Sequence, residues 1–210
     1  MSTPLGSSPC ARMHVSTTCL LTFVSLSCCA LAFTPLPHQI PSFATWTPTK
    51  GSPFSLSSTI QIIVGSKHGL IKSPNILDFA QTFREDLLAI APSTHIPPVQ
   101  LFSSAKQGNT VLIDVDPSLN LTLFNGNPTD EGYKITVTQK IVSILAPAPI
   151  GAWWGTRTLL QQFTSTPKDG GISLPAGEIT DSPGWEVRGF MLDAGRHWFD
   201  TTFLCMAIPC

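Results

Sequence analysis

The chain of 210 residues carries a formal net charge of −1 at pH 7, and only 12% of its residues are charged. This balance provides neither a basic surface for nucleic acid nor an acidic tail, so we expect no nucleic-acid partner. Hydrophobic residues make up 42% of the chain, which is enough to bury one core of ordinary domain size. We therefore expect one complete domain together with a fragment of another.

Residues 1–32 are typical of a secretory signal peptide. Arg12 and His14 precede an apolar run over residues 15–31, and residues 30–32 supply the small side chains expected before a cleavage point. A buried helix or a membrane anchor is the alternative. However, Ser, Thr and Cys interrupt the run, and it falls short of the ~20 apolar residues of a membrane span. We predict cleavage after Ala32, secretion, and no membrane span in the mature protein.

The distribution of the cysteines agrees with this signal peptide. Only Cys205 and Cys210 remain in the mature chain, which therefore has no internal disulfide framework and no cysteine cluster for a metal ion. Their spacing is compatible either with a bridge across a small loop or with two free thiols. The other four of the six cysteines lie in the predicted signal peptide: Cys10, Cys19, Cys28 and Cys29.

A proline-rich linker is predicted at residues 33–53. Prolines at positions 35, 37, 41, 48 and 53 are scattered among Ser and Thr residues. Because proline lacks a backbone N–H donor, this stretch cannot sustain a helix or a central strand, and we expect it to run extended over the surface. We place the start of the folded domain near Phe54.

The folded domain, residues 54–183, is predicted to be α+β, with helices packed on one face of a sheet. Short apolar runs rich in β-branched residues indicate strands, and apolar residues at helical spacing indicate helices. Two of the strands are joined tightly enough to suggest a hairpin. The predicted strands are residues 59–64, 110–115, 133–138 and 140–145, and the predicted helices are residues 74–91 and 151–163.

Four motifs in the second half of the chain resemble, in the same order, the small domain that precedes the catalytic barrel in glycoside hydrolase family 20. The resemblance is weak before Thr110, but an ordered set of motifs is more discriminating than any one of them. The motifs are residues 131–133, 151–162, 174–177 and 181–183.

Residues 185–199 are similar to the first strand of that family's barrel. The resemblance implies that residues 184–210 begin a (β/α)₈ barrel, a fold that needs roughly 250 residues, so the chain looks truncated. A lone barrel strand has unpaired edges and no partner for its apolar face. We therefore expect residues 187–210 to be disordered, misassociated or docked irregularly against the small domain.

The resemblance implies substrate-assisted glycoside hydrolysis. Family 20 enzymes remove terminal N-acetylglucosamine or N-acetylgalactosamine with retention, and the acetamido oxygen of the substrate is the nucleophile. A glutamic acid protonates the leaving oxygen, and the aspartate beside it orients the acetamido group. Because that pair lies beyond the third barrel strand, we expect no catalytic residue in this chain. No cofactor is implied.

The chain has one Asp-Glu dipeptide, Asp130-Glu131, and we reject it as the catalytic pair. It follows the turn-rich residues 125–129 and aligns with the small domain of the family.

Arg188 is the one substrate-binding residue that the resemblance carries over. It opens the pattern Arg-Gly-x-x-x-Asp-x-x-Arg-His, and in the family this arginine hydrogen-bonds hydroxyls of the terminal sugar. The alternative is that Arg188 pairs with Glu186 or Asp181 at the entrance of a strand.

Three later residues of this pattern, Asp193, Arg196 and His197, are not expected to act in binding or catalysis. Asp193 and Arg196 are predicted to form a buried pair that holds the end of the strand, although a functional role at this barrel edge is conceivable. His197 and Asp193 supply only two ligands, so we expect no metal site.

Two further features bear on carbohydrate. Trp153 and Trp154 could stack on sugar rings, but on an amphipathic helix we expect core positions for them instead. Asn120 opens the sequence Asn-Leu-Thr and is predicted to be N-glycosylated, whereas residues 127–129 are excluded as a second acceptor by their proline.

Two functions therefore compete. The first is a secreted β-N-acetylhexosaminidase that acts on N-acetylhexosamine-terminated glycans or chitin oligomers, of which this chain would be an N-terminal part that is inactive alone. The alternative is a non-catalytic secreted α+β module that binds carbohydrate or a protein partner, with Arg188 and the tryptophans as its contacts.

Overall fold

The structure is a computed structural model that describes residues 39–56, 59–65, 67, 70, 75–103, 109–165, 172–189, 191–193, 195 and 198–207. The predicted signal peptide, with its four cysteines, lies outside the described residues. So do Arg196, His197 and Cys210.

The described chain forms nine strands and three helices. In chain order they are β1 (Thr45–Pro48), β2 (Phe54–Ser55), β3 (Ile60–Val64), α1 (Ile76–Ile90), β4 (Gln100–Leu101), β5 (Asn109–Val115), β6 (Tyr133–Val137), β7 (Ile141–Ala146), α2 (Pro149–Ser165), β8 (Ser173–Leu174), β9 (Gly177–Asp181) and α3 (Thr201–Ala207).

Seven of the strands form one mixed sheet in the order β1-β9-β6-β7-β5-β3-β4. Strands β4, β3, β5 and β7 run parallel to one another. Strands β6 and β7 form the predicted antiparallel hairpin, and β9 continues the antiparallel part between β6 and β1. The short strands β2 and β8 pair separately.

Both long helices pack on the same side of this sheet. They contact each other, α1 also contacts β3 and β5, and α2 contacts β5, β6 and β7. Burial alternates along β7 as expected for a sheet covered on one face: Val142, Ile144 and Ala146 are buried, and the residues between them are partly exposed. The predicted α+β class, with helices on one face of a sheet, is confirmed, as are the predicted main strands and helices.

Helix α1 begins where the sequence provides a capping box. The Asn75 side chain accepts hydrogen bonds from the backbone N–H groups of Leu77 and Asp78, at 2.9 and 3.1 Å. In return the Asp78 carboxylate accepts from the Asn75 N–H at 2.9 Å. These bonds satisfy backbone donors that the first turn of a helix leaves without partners.

The ordered sheet begins before Phe54, within the predicted linker. Strand β1 pairs with β9 as an edge strand, and an edge position needs hydrogen bonds on one side only, so Pro48 is tolerated at its end. The Trp46 ring lies directly over Gly177, where an added Cβ would come within 2.3 Å of the indole. The proline content therefore rules out a central strand here but leaves room for an edge strand.

The segment after β9 contains no strand among its described residues. The resemblance to a first barrel strand predicts one at residues 185–199, but a strand exists only where a neighbour supplies hydrogen bonds, and none of the described strands lies beside this segment. Asp193 is exposed, so it is not the buried member of an ion pair that the sequence predicts. Its carboxylate accepts a hydrogen bond from Gly195 N–H at 3.0 Å.

Helix α3 closes the described chain, and Cys205 on it is exposed. No helix in the described ranges combines the length and the apolar character that crossing a bilayer would require.

Candidate functional site

A groove of about 500 Å³ opens beside α2. Its walls come from the residues before β1, from the exposed side of α2, and from the chain that leaves β9, while the start of β6 forms its floor. The groove therefore lies where four parts of the chain meet, and its volume falls within the about 300–1,000 Å³ of typical small-molecule sites.

The floor is a chain of hydrogen bonds centred on Tyr133. Its hydroxyl donates to the Asp181 carboxylate at 2.7 Å and lies 2.5 Å from the Thr158 hydroxyl. Gln39 Nε2 donates to the same Thr158 oxygen at 3.1 Å, and Gln162 Nε2 donates to Gln39 Oε1 at 3.2 Å. This series of hydrogen bonds ties the N-terminal segment and α2 to the sheet.

The Tyr133 hydroxyl stays protonated at neutral pH. The pKa of Tyr133 is raised far above its usual value, and burial of the side chain is the largest cause of this shift. The hydrogen bond with Thr158 opposes this shift, whereas the negative charge of Asp181 adds to it. The groove floor therefore presents a neutral Tyr133 hydroxyl that donates a hydrogen bond to the Asp181 carboxylate.

Small residues allow α2 to lie close enough to the sheet for these bonds. A Cβ at Gly151 would sit 2.2 Å from the Gly132 carbonyl oxygen, and one at Gly155 would sit 2.6 Å from Ile144 Cγ2. Any larger residue at either position would push the helix away from the sheet.

The two neighbouring tryptophans of α2 occupy different environments. Trp153 is half-buried, with its ring centroid 5.0 Å from that of Phe79 and the Arg157 guanidinium carbon 3.9 Å above it. Trp154 is 39% exposed and lines the groove. The expectation of core positions is therefore wrong for Trp154, and Trp153 packs between helices at the edge of the core.

Arg188 lines the same groove, and its guanidinium is ion-paired with Glu131. Its Nη1 also donates to the Trp185 carbonyl at 2.6 Å. The observed partner is thus neither Glu186 nor Asp181, the two considered from the sequence. Asp130, the other member of the Asp-Glu dipeptide, is exposed next to this pair.

The structure places Arg188 and Trp154, which the sequence singled out as possible sugar contacts, in the same groove. Asn120 is exposed on the connection between β5 and β6 and does not line the groove. Sequence reasoning missed the bonds among Tyr133, Thr158 and Asp181, because no local pattern marks residues that meet only after folding. Within the described ranges, no cluster of three or more His, Cys, Asp or Glu side chains could hold a metal ion.

Comparison with known proteins identifies the domain. The family model described as "Glycosyl hydrolase family 20, domain 2" matches residues 37–182. A beta-hexosaminidase of Porphyromonas gingivalis is 34% identical over 96 residues, which are 43% of this chain and 12% of the relative. A beta-N-acetylhexosaminidase of Cellulomonas fimi is 34% identical over 70 residues, which are 33% of this chain and 14% of the relative. The chain thus spans a small part of each relative's length.

Solved structures show the same fold. A family 20 beta-N-acetylhexosaminidase from Streptomyces coelicolor superimposes with a TM-score of 0.52 at 22% identity, over 79% of this chain and 30% of that one. A beta-N-acetylhexosaminidase from Bacteroides fragilis gives a TM-score of 0.55 at 21% identity, over 80% of this chain and 29% of that one. Because the family model covers more than half of its residues, this chain belongs to glycosyl hydrolase family 20 and carries that family's domain 2.

Proposed function

We propose that this chain is a non-catalytic N-terminal part of a secreted β-N-acetylhexosaminidase. In the complete enzyme, terminal N-acetylglucosamine or N-acetylgalactosamine would be removed from glycans or chitin oligomers. The match of residues 37–182 to domain 2 of the family is the observation that carries this proposal. The hexosaminidase names of the relatives that share this region support the same reaction.

The 210 residues are proposed to be inactive on their own. Substrate-assisted hydrolysis requires an acidic residue at the leaving oxygen and a neighbouring carboxylate at the acetamido group. Asp130-Glu131 is a poor candidate, because Glu131 is already ion-paired with Arg188 and Asp130 is exposed on the connection that leads into β6.

Arg188 is proposed to bind sugar hydroxyls in the complete enzyme. A guanidinium carries five N–H donors in a fixed plane, which suits neighbouring hydroxyls of one ring. The pairing with Glu131 and the bond to the Trp185 carbonyl use part of this donor set and hold the side chain in place.

Inactivity of the isolated chain can be tested directly. We expect the purified chain to release no 4-nitrophenol from 4-nitrophenyl N-acetylglucosaminide or its galacto counterpart above the buffer rate. The matched control is Glu131→Gln, which should leave that zero rate unchanged. Turnover by the folded chain that Glu131→Gln abolishes would contradict the proposal and make Asp130-Glu131 catalytic.

A domain exchange tests the hexosaminidase assignment itself. Residues 37–182 would replace the matching segment of the Cellulomonas fimi beta-N-acetylhexosaminidase, and a second version without any such segment would serve as the control. We expect the exchanged enzyme to keep hydrolysis that the deleted version loses. A soluble, folded exchange enzyme with no more activity than the deletion would count against the assignment.

Secretion and glycosylation share one experiment. Expressed in a eukaryotic secretory host, the chain should appear in the medium with Phe33 as its first residue and with a glycan at Asn120. Mass spectrometry before and after glycosidase treatment measures both, and Asn120→Gln is the control. Retention in the cell with Met1 still present would contradict the signal peptide.

A further inference from the structure

The charges around the groove cancel. Two carboxylates, Glu131 and Asp181, and two guanidinium groups, Arg157 and Arg188, line it. Arg188 is paired with Glu131, Arg157 is paired with Asp86 behind the groove, and Asp181 accepts the Tyr133 hydroxyl. An ion of either sign would meet a like charge here. The groove therefore suits an uncharged ligand.

Apolar side chains lie on several walls of the groove. The exposed indole of Trp154 lies on α2, and the side chains of Ile40, Pro41 and Pro183 add further apolar surface. A tryptophan left open on a helix offers a large flat surface for a ligand with an apolar face, and its position is already fixed by the helix.

Between these surfaces lie polar groups with capacity for more hydrogen bonds. The Gln161 amide accepts from the Ile40 N–H at 3.0 Å and donates to the Ile40 carbonyl at 3.2 Å. A primary amide has a second N–H and a second lone pair, so one of each is still available for a ligand. A purely apolar ligand would cover these groups without compensating them, which is unfavourable.

We propose that this groove is a binding site for a neutral saccharide, with one pyranose ring stacked on Trp154 and its hydroxyls bonded to the Gln161 amide. A pyranose combines the two surfaces that the groove requires, an apolar face of C–H groups and a rim of hydroxyls. The two residues that would contact the sugar, Trp154 and Gln161, lie in domain 2 and neither is catalytic, so the inference stands apart from the proposed hydrolase activity.

The five tryptophans make the test specific, because each gives one indole N–H signal in a ¹H–¹⁵N NMR spectrum. The 210-residue chain would be titrated with diacetylchitobiose, cellobiose and maltose up to about 20 mM, above the millimolar dissociation constants expected of an open groove. We expect at least one of these sugars to shift the Trp154 signal in a saturable way while the Trp198 signal stays in place.

Three substitutions separate binding in the groove from non-specific contact with exposed indoles. Trp154→Ala should weaken binding about tenfold, the upper range for loss of ring stacking, and Trp154→Phe should weaken it less. Trp198→Ala removes an indole that is 86% exposed and lies away from the groove, so it should leave the affinity unchanged. The other indole signals report whether each variant is folded.

Three outcomes would overturn the proposal. The first is that no sugar shifts the Trp154 signal in the folded chain. The second is that Trp154, Trp185 and Trp198 respond equally, which would indicate contact with any exposed indole. The third is that glucuronic acid binds better than glucose, which would contradict the balance of charges. Hydrolysis is not the readout, so failure here leaves the proposed enzyme function untouched.

Discussion

The helix–sheet body, residues 45–181, and the C-terminal segment, residues 184–207, are both rich in large apolar side chains but treat them in opposite ways. In the body Phe163 and Ile144 are fully buried, whereas in the segment Met191 is 88% exposed and Trp198 is 86% exposed. The difference lies in the neighbours. Each strand of the body has a hydrogen-bonded partner, and the helices cover the central strands β3, β5, β6 and β7. The segment has no such strand partner or covering helix among the described elements. Apolar composition alone does not make a core.

The largest expected contrast is between an aromatic residue in each region. Phe163→Ala should lower the free energy of unfolding by about 3–5 kcal/mol, because it removes a buried ring and leaves a cavity between α2 and the sheet. Trp198→Ala should change it by no more than about 0.5 kcal/mol. Urea denaturation of both variants measures this, and equal losses would remove the distinction between the two regions.

The polar floor of the groove should matter less than the apolar core. Tyr133→Phe removes a buried donor to Asp181 and a partner of Thr158, so we expect a loss of about 1–3 kcal/mol in unfolding free energy. Thr158→Val is a companion of similar shape that breaks the same chain of bonds from the helix side. If both substitutions are neutral, the floor does not hold α2 to the sheet.

The same tyrosine gives the stability of the body a pH dependence. Burial raises the pKa of Tyr133, so its contribution to stability is fully present below about pH 10, the ordinary tyrosine value. Stability should fall as pH rises above that value, because the unfolded chain releases a proton that the native state retains. Urea midpoints between pH 8 and pH 11, measured for the native chain and Tyr133→Phe, test this. The fall should be shallower in the variant.

A smaller effect is expected where the body meets solvent at the start of α1. Asn75→Ala removes the side chain that caps two backbone N–H groups, and it should cost about 1 kcal/mol. Asn75→Asp keeps an acceptor oxygen and should cost much less. Thermal unfolding of the two variants makes the comparison, and identical losses would mean that the cap contributes nothing.

The smallest effect is expected at the ion pair that joins the two regions. Glu131→Gln should lower the free energy of unfolding by at most about 1 kcal/mol, since Glu131 and Arg188 are both partly open to solvent. The loss should shrink further at high salt. A loss above about 2 kcal/mol would indicate that the segment is held more firmly than its exposure implies.

The parts of the fold that could be predicted from sequence are those with a clear periodicity. Strands β3, β5, β6 and β7 are short runs of β-branched residues, and α1 has apolar residues at helical spacing after a capping residue. Strands β2, β4 and β8 have two residues each, which is too short for any period. Strand β9 buries only Gly177 and Ile179, and β1 lies among prolines, so neither resembles a buried strand.

The site was predictable only in part. Arg188 stands in a recognisable pattern, and paired tryptophans attract attention in any chain. Which of the two is open to solvent depends on how α2 turns against α1, where Phe79 and Arg157 enclose Trp153. The hydroxyl of Tyr133 meets Thr158 25 residues later and Asp181 48 residues later, and no local rule relates positions so far apart.

The order of the sheet also determines when the domain can be completed on the ribosome. Strand β9 lies between β1 and β6, so Thr45 cannot pair until its partner Thr180, which is 135 residues later, has been synthesised. At roughly 5–20 residues per second, synthesis leaves β1 without a partner for on the order of ten seconds and one edge of β6 open for a few seconds. An open edge can accept a strand from another nascent chain, so this interval is when the polypeptide is most exposed to misassembly. The parallel strands β3, β4, β5 and β7 are all synthesised before β9, so they can pair before the last strand arrives.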